Sequence, residues 1–204
     1  LSARAGDGKA VLVSGQFGAG REYLPDRLVD ALGWRGNTQA FGIQTTRDDI
    51  YRPFGVLSDL ILRCLQETIS DEGDHRESAL KILGELDVEQ DALDTLRGIW
   101  GMQSAPRIGY DDRLELLGGL FIALLKDFCR NGPVVLVIDK VEHVDGLTMD
   151  VLRDVVAHIG EMPAMLVLAT RADELMRSAF DRGQSENLEA IRVVGEEPPE
   201  LSEI

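Results

Sequence analysis

Three short runs of almost uninterrupted apolar residues, AVLVS at 10–14, VVLVI at 134–138 and AMLVLA at 164–169, decide what this chain can fold into. Each is strand-length rather than helix-length, rich in branched side chains, and closed by a turn or polar residue: Gly15, Asp139, and Thr170 with Arg171. A strand that is apolar on both faces is buried on both faces, which is the environment of a parallel sheet covered by helices. Helical spacing separates these runs. Leu24, Leu28, Val29 and Leu32 recur until Gly33, with Pro25 in the first turn. A second helix is expected over about Gly55–Ile69, a strongly apolar one over Tyr110–Cys129, and others over about Leu147–Ile159 and Ala172–Arg182. Weaker strand signals at Thr38–Gln44 and Ala190–Val194 bring the expected strands to five, alternating with helices in an α/β fold. Residues 70–109 interrupt the alternation as a helical insertion, acid-rich through Met102, with Leu80, Leu83, Leu86, Leu93, Leu96 and Ile99 facing inward.

Composition narrows the function classes. The 204 residues, 44% of them hydrophobic, make one domain with a core of its own. Acidic residues outnumber basic ones 36 to 21, leaving a net charge of −15 and only Lys9, Lys81, Lys126 and Lys140 as lysines. Nucleic-acid backbones are gripped by clustered Lys and Arg, so direct nucleic-acid contact is not expected. Cys64 and Cys129 fall in apolar helical patterns and read as core thiols. His75, His143 and His158 are too scattered to suggest a metal set. No apolar run reaches the length of a membrane span, and no charged start precedes an apolar stretch as in a signal peptide, so the cytoplasm is the expected compartment.

Parallel sheets place their sites at the carboxyl ends of strands. After the first strand comes GQFGAGRE (15–22), a glycine loop opening a helix, which can cradle phosphate with its backbone N–H groups. Against GxxxxGK[ST], Gly15 and Gly20 match the fixed glycines, but Arg21 stands at the lysine position and Glu22 at the Mg-binding hydroxyl position. Arg21 keeps a charge with a bulkier, planar group. Glu22 removes the hydroxyl and adds an anion; a carboxylate about 4 Å from one phosphate charge is repelled by roughly 4 kcal/mol at an effective dielectric near 20. A helix N-terminus returns only about 0.3–1 kcal/mol. The plainer alternative is a sharp strand-to-helix turn in which Glu22 complements the helix dipole. Asp139, ending the most strand-like run, occupies the place from which P-loop NTPases hold their metal.

In order and spacing, GQFGAGRE, Tyr51-Arg52-Pro53-Phe54, VVLVIDKVEHVD and LVLATRADE resemble the P-loop ATPase domains of the AAA/STAND class found in large bacterial signalling proteins. The resemblance implies a three-layer αβα sandwich with strand order 5-1-4-3-2, covering residues 1–195, and a linker at 196–204 toward a further domain. It implies a nucleotide site built from Gly15, Gly18, Gly20, Arg21, Glu22, Asp139, Lys140 and Arg171, with Asp139 as the metal-side acid if Mg binds. Lys140 stands where the second acid, which would polarise the attacking water, is expected; His143 replaces a tryptophan, and Asp145 matches the trailing aspartate. These departures remove phosphate charge, metal ligand and water activation together. The expected function is therefore a degenerate, non-hydrolysing domain that serves as a regulatory or protein-interaction module. Its partners would be protein partners and neighbouring kinase, cyclase or transcription-regulator modules of the same longer chain. The alternative is an ATP/ADP-binding switch, with or without Mg, that hydrolyses weakly or not at all.

Overall fold

The computed structural model describes residues 8–15, 38–66, 68–69, 74–171, 180 and 187–193. The expected helix around Leu24–Leu32, the glycine loop beyond Gly15 and the segment after Val193 lie outside these residues, as does most of the expected helix over 172–182.

Five strands form one parallel sheet: β1 (Lys9–Gly15), β2 (Gln39–Gln44), β3 (Val134–Asp139), β4 (Ala164–Thr170) and β5 (Leu188–Val193). Their order across the sheet is β2-β3-β4-β1-β5, the expected 5-1-4-3-2 read from the other edge. The protein has the α/β fold of P-loop NTPases. Five helices are described: α1 (Gly55–Leu65), α2 (His75–Leu83), α3 (Gln90–Ile99), α4 (Tyr110–Cys129) and α5 (Gly146–His158). The steps β2 to β3 and β3 to β4 move the same way across the sheet, so right-handed crossovers put the intervening helices on one face.

Alternation along the strands separates two cores. Leu12, Phe41, Leu136, Ile138, Leu166 and Leu168 face the described helices in one large apolar cluster, which Phe180 also joins. Val11, Val13, Val135, Val137 and Val167 form a second, smaller cluster. Every residue of β3 is buried, as its unbroken apolar run predicts. Helix α4 contributes Leu117, Leu120, Phe121, Leu124 and Leu125, spaced so that one stripe meets the sheet and its neighbours. Gly132, at φ 148°, makes the turn from α4 into β3, a conformation that side chains disfavour.

The expected insertion holds α2 and α3, which pack into the same large cluster through Leu80, Leu83, Leu93 and Leu96. Two boundaries differ from the sequence expectation by two residues or more. Helix α1 stops at Leu65 rather than Ile69, and β5 begins at Leu188, two residues early, because Leu188 pairs with Ala10. No described helix is long and apolar enough to cross a membrane.

Cys64 is fully enclosed in α1, where burial pushes its thiol up to about 12 against a small opposing effect of Arg63. Cys129 is partly buried, and burial also raises its pKa. Only the thiolate reacts, so native protein treated with a maleimide at about pH 8 should label slowly at Cys129 and not at Cys64. Peptide mapping before and after unfolding checks this; rapid labelling of Cys64 in the native state would contradict the packing of α1.

Candidate functional site

Register brings the strand ends together. Gln44 pairs with Asp139, Asp139 with Ala169, and Ser14 with Thr170, so the termini of β1, β2, β3 and β4 share one edge. At the centre, the Asp139 side chain is engaged on both oxygens. Gln44 Nε2 donates to Oδ2 at 2.8 Å, and the Lys140 amide donates to Oδ1 at 2.9 Å. Lys140 sits at φ 58°, in the left-handed region, and this turns its N–H back onto the strand-end acid. Thr45 closes the arrangement from β2: its hydroxyl donates to the carbonyls of Asp139 (3.1 Å) and Lys140 (2.7 Å).

The P-loop fold implies a Mg ion at this acid, and the residues do not fit one. Asp139 is 1% exposed. Magnesium keeps several of its waters in octahedral geometry and needs an open carboxylate face, which Asp139 does not present. Lys140 adds a cation where a second acid would help, and Glu22 takes the place of the metal-binding hydroxyl in the sequence. Among the described residues no group of three metal-ligating side chains occurs.

The connection from β2 to α1 is pinned twice. A one-turn 3-10 helix, Arg47–Tyr51, starts after Thr46, whose N–H and hydroxyl both donate to Asp49 Oδ2. Arg52 then bridges Asp49 at 2.7 Å and both oxygens of Asp59 on α1. Burial pushes the Asp49 carboxyl up, but the hydrogen bonds from Thr46 and Arg52 outweigh it and leave Asp49 below the usual carboxylate range. The second pin is Asp145. It caps α5 by accepting from the Thr148 N–H (3.0 Å) and hydroxyl (2.6 Å), and it accepts from the Phe54 N–H at 3.0 Å. Thr148 Oγ1 in turn accepts from the Leu57 N–H. Phe54 stands at φ 56° at the start of α1, a rare conformation for an aromatic residue that this carboxylate holds. The Pro53-Phe54 pair and the trailing aspartate, 91 positions apart, are thus two halves of one joint.

A cleft of about 300 Å³ opens above the strand ends, lined by Thr45, Thr46, Arg47, Lys140, Glu142, His143 and Arg171. Glu142 joins two strands there: its Oε2 accepts from Thr170 Oγ1 at 2.9 Å and from the Arg171 N–H at 3.4 Å. The Nδ1 of His143 is buried and has no hydrogen-bond partner.

Of the residues expected to form the site, Asp139, Lys140 and Arg171 are brought together; Gly15 ends β1 on the same edge. Gly18, Gly20, Arg21 and Glu22 lie outside the described residues. Asp145 is structural, a buried cap rather than a ligand. The strand-end rule points to the segments 44–48 and 139–145, but sequence reasoning assigned no site role to Gln44, Thr45, Arg47 or Glu142 within them. The polar residues right after each strand were the available signal, and the Gln44–Asp139 register was not visible without the sheet.

No family model matches the chain, and no curated protein matches it. Among solved structures it is similar to a chain in a structure of Drosophila ORC bound to DNA: TM-score 0.52, 12% identity, covering 96% of this chain and 39% of that one. A structure of Drosophila ORC bound to poly(dA/dT) DNA and Cdc6 gives a TM-score of 0.49 at 13% identity, covering 95% of this chain and 26% of that chain. A nucleotide-free ATP-binding cassette from an ABC transporter gives 0.36 at 13% identity, covering 87% and 76%. The first likeness is one of fold, and this chain spans about two fifths of the ORC chain.

Two variants test the joints. Asp145→Ala removes three hydrogen bonds from buried donors and should lower unfolding stability by about 2–4 kcal/mol, while Asp145→Asn, which keeps an acceptor, should lose about half as much in urea titrations. Asp49, held below its unfolded pKa, contributes stability that is fully present above about pH 4 and is lost as pH falls through its lower folded value. The stability gap between the natural protein and Asp49→Asn should therefore shrink as the pH falls below the ordinary carboxylate value of about 3.9.

Proposed function

We propose that this chain is a P-loop-type domain that does not hydrolyse nucleotide through a metal and acts instead as a regulatory or protein-interaction module. The observation that carries the reading is Asp139. The acid on which Mg-dependent chemistry would depend is shut into the sheet edge, with Gln44 on one oxygen and a backbone N–H on the other. Lys140 beside it, and Arg21 and Glu22 in the glycine loop, point the same way. The resemblance to AAA/STAND ATPase domains supports a setting in a larger bacterial signalling protein, with kinase, cyclase or transcription-regulator modules as its partners.

A second reading, an ATP/ADP-binding switch, is favoured by the cleft. It gathers Arg47, Lys140 and Arg171 at the strand ends of a chain that is otherwise acidic. In this second reading hydrolysis is weak or absent.

Release of phosphate from ATP by the full chain, measured with Mg, should stay at the level of the buffer control. It should also be unaffected by Asp139→Asn, which keeps the Gln44 and Lys140 contacts in part. Turnover that rises with Mg and vanishes in Asp139→Asn would overturn the reading, because it would require Asp139 to reach a metal.

A further inference from the structure

The cleft above β2, β3 and β4 carries an inference that rests on the non-hydrolysing reading and extends it. The geometry points to a metal-independent site for a phosphate-class anion, in which the Lys140 ammonium supplies the charge that Mg supplies in P-loop enzymes.

Four observations converge on this site. The first is charge: among the described residues, Arg47 and Lys140 line the cleft, with Arg171 and the carboxylate of Glu142 beside them. Second, that carboxylate is committed, since its Oε2 accepts from the Thr170 hydroxyl and the Arg171 N–H, which braces β3 to β4. The other acid at this edge, Asp139, lies beneath the cleft with a donor on each oxygen. Third, the Lys140 ammonium makes no ion pair with Asp139, Glu142 or any other described carboxylate; only its main-chain N–H touches Asp139. A lysine flanked in sequence by Asp139 and Glu142 would be expected to pair with one of them, yet its side chain lines the cleft.

The fourth observation is conformational. Lys140 holds a left-handed backbone at φ 58°, a region that favours glycine or asparagine, and such outliers gather where a site needs one side chain in one place. The Thr45 hydroxyl, just after β2, donates to the carbonyl of Lys140 and so holds that turn. Thr46 lies exposed on the rim beside Arg47, and its hydroxyl is committed to Asp49, so the cations rather than a hydroxyl donor define the site. At about 300 Å³ the cleft is at the lower end of small-ligand pockets and suits a phosphate group rather than a whole nucleotide. The phosphate is therefore either free inorganic phosphate or the terminal group of a nucleotide whose remainder lies outside the cleft.

The test is equilibrium binding to the full chain in EDTA by titration calorimetry, with ATP, ADP, adenosine and inorganic phosphate as separate ligands. ATP or inorganic phosphate should bind without metal, more tightly at low salt, and added Mg should weaken ATP binding by competing for its phosphates. Lys140→Asn removes the charge while suiting the left-handed turn, and it should weaken binding about tenfold or more with the ligand-free melting temperature unchanged. Arg47→Gln, at an exposed position lining the same cleft, should weaken it as well and keeps the test open if Lys140→Asn folds poorly. Phosphate that binds as well as ATP assigns the site to free phosphate; ATP that binds more tightly while adenosine is silent assigns it to nucleotide phosphates. Either result upholds the proposal. It is overturned if no phosphate compound binds in EDTA, if binding appears only with Mg, or if Lys140→Asn and Arg47→Gln bind as the natural protein does. Failure of the non-hydrolysing reading is seen separately, as Mg-dependent turnover.

Discussion

The parallel register of β3 between β2 and β4 is the constraint from which the rest of this edge follows. Parallel ladders fix which residues end side by side, and a slip of one residue would turn every side chain to the other face. Here Gln44 pairs with Asp139 and Asp139 with Ala169. That places an amide donor beside the strand-end carboxylate, and it brings the segments after each strand, 45–47, 140–143 and 170–171, around one cleft. The register is itself secured by burial: β3 is enclosed along its whole length, with Leu136 and Ile138 in one apolar cluster and Val135 and Val137 in the other. Moving it by one residue would force Leu136 and Ile138 into the space of the valines on the other face and separate Asp139 from Gln44.

Two polar joints then hold the loops above that edge, and they are unequal. The Asp49–Arg52–Asp59 chain is geometrically neat, but Arg52 and Asp59 are well exposed, so water and salt weaken the pairing and each link contributes little. Asp145 is buried, and every donor it accepts from would be stranded without it: the Thr148 N–H at the start of α5, the Thr148 hydroxyl, and the Phe54 N–H at the start of α1. An unsatisfied buried donor costs more than a satisfied one contributes, so the second joint dominates. It also explains why Phe54 accepts a left-handed backbone, which places its ring in the large core while its N–H reaches Asp145.

Much of the fold was legible because burial writes periodicity into sequence. The bounds of α4 read off the chain as Tyr110–Cys129 are those of the helix, and the three apolar runs are strands within a residue at each end. Where the reading erred, the cause is that apolar spacing reports burial rather than hydrogen bonding. Ile69 continues the stripe of α1 and is buried against the core, yet the helix has already ended at Leu65, with the Thr68 and Ile69 amides folding back onto its carbonyl. The site was less legible. Asp139, Lys140 and Arg171 could be read from their places after strands, whereas Gln44 and Thr45 act on residues about 95 positions away through the register. The left-handed turns at Phe54 and Lys140 carry no local signal either, since neither residue type favours that conformation.

The same distinction bears on what a strand-end aspartate means. In a sequence, an acid closing an apolar strand beside a glycine loop reads as a metal ligand, but the carboxylate has a second use that needs no metal. Asp139 ties the end of β2 through Gln44 and stabilises the left-handed turn at Lys140 by accepting its N–H. Both contacts give the acid a structural use at this position, because removing it takes the acceptor from the Gln44 side chain and from the Lys140 N–H at the sheet edge. The residues that discriminate are those with no such structural use. Lys140 is the clearest: its main chain does the structural work, and its side chain, left out of every described ion pair, lies in the cleft where an anion would meet it.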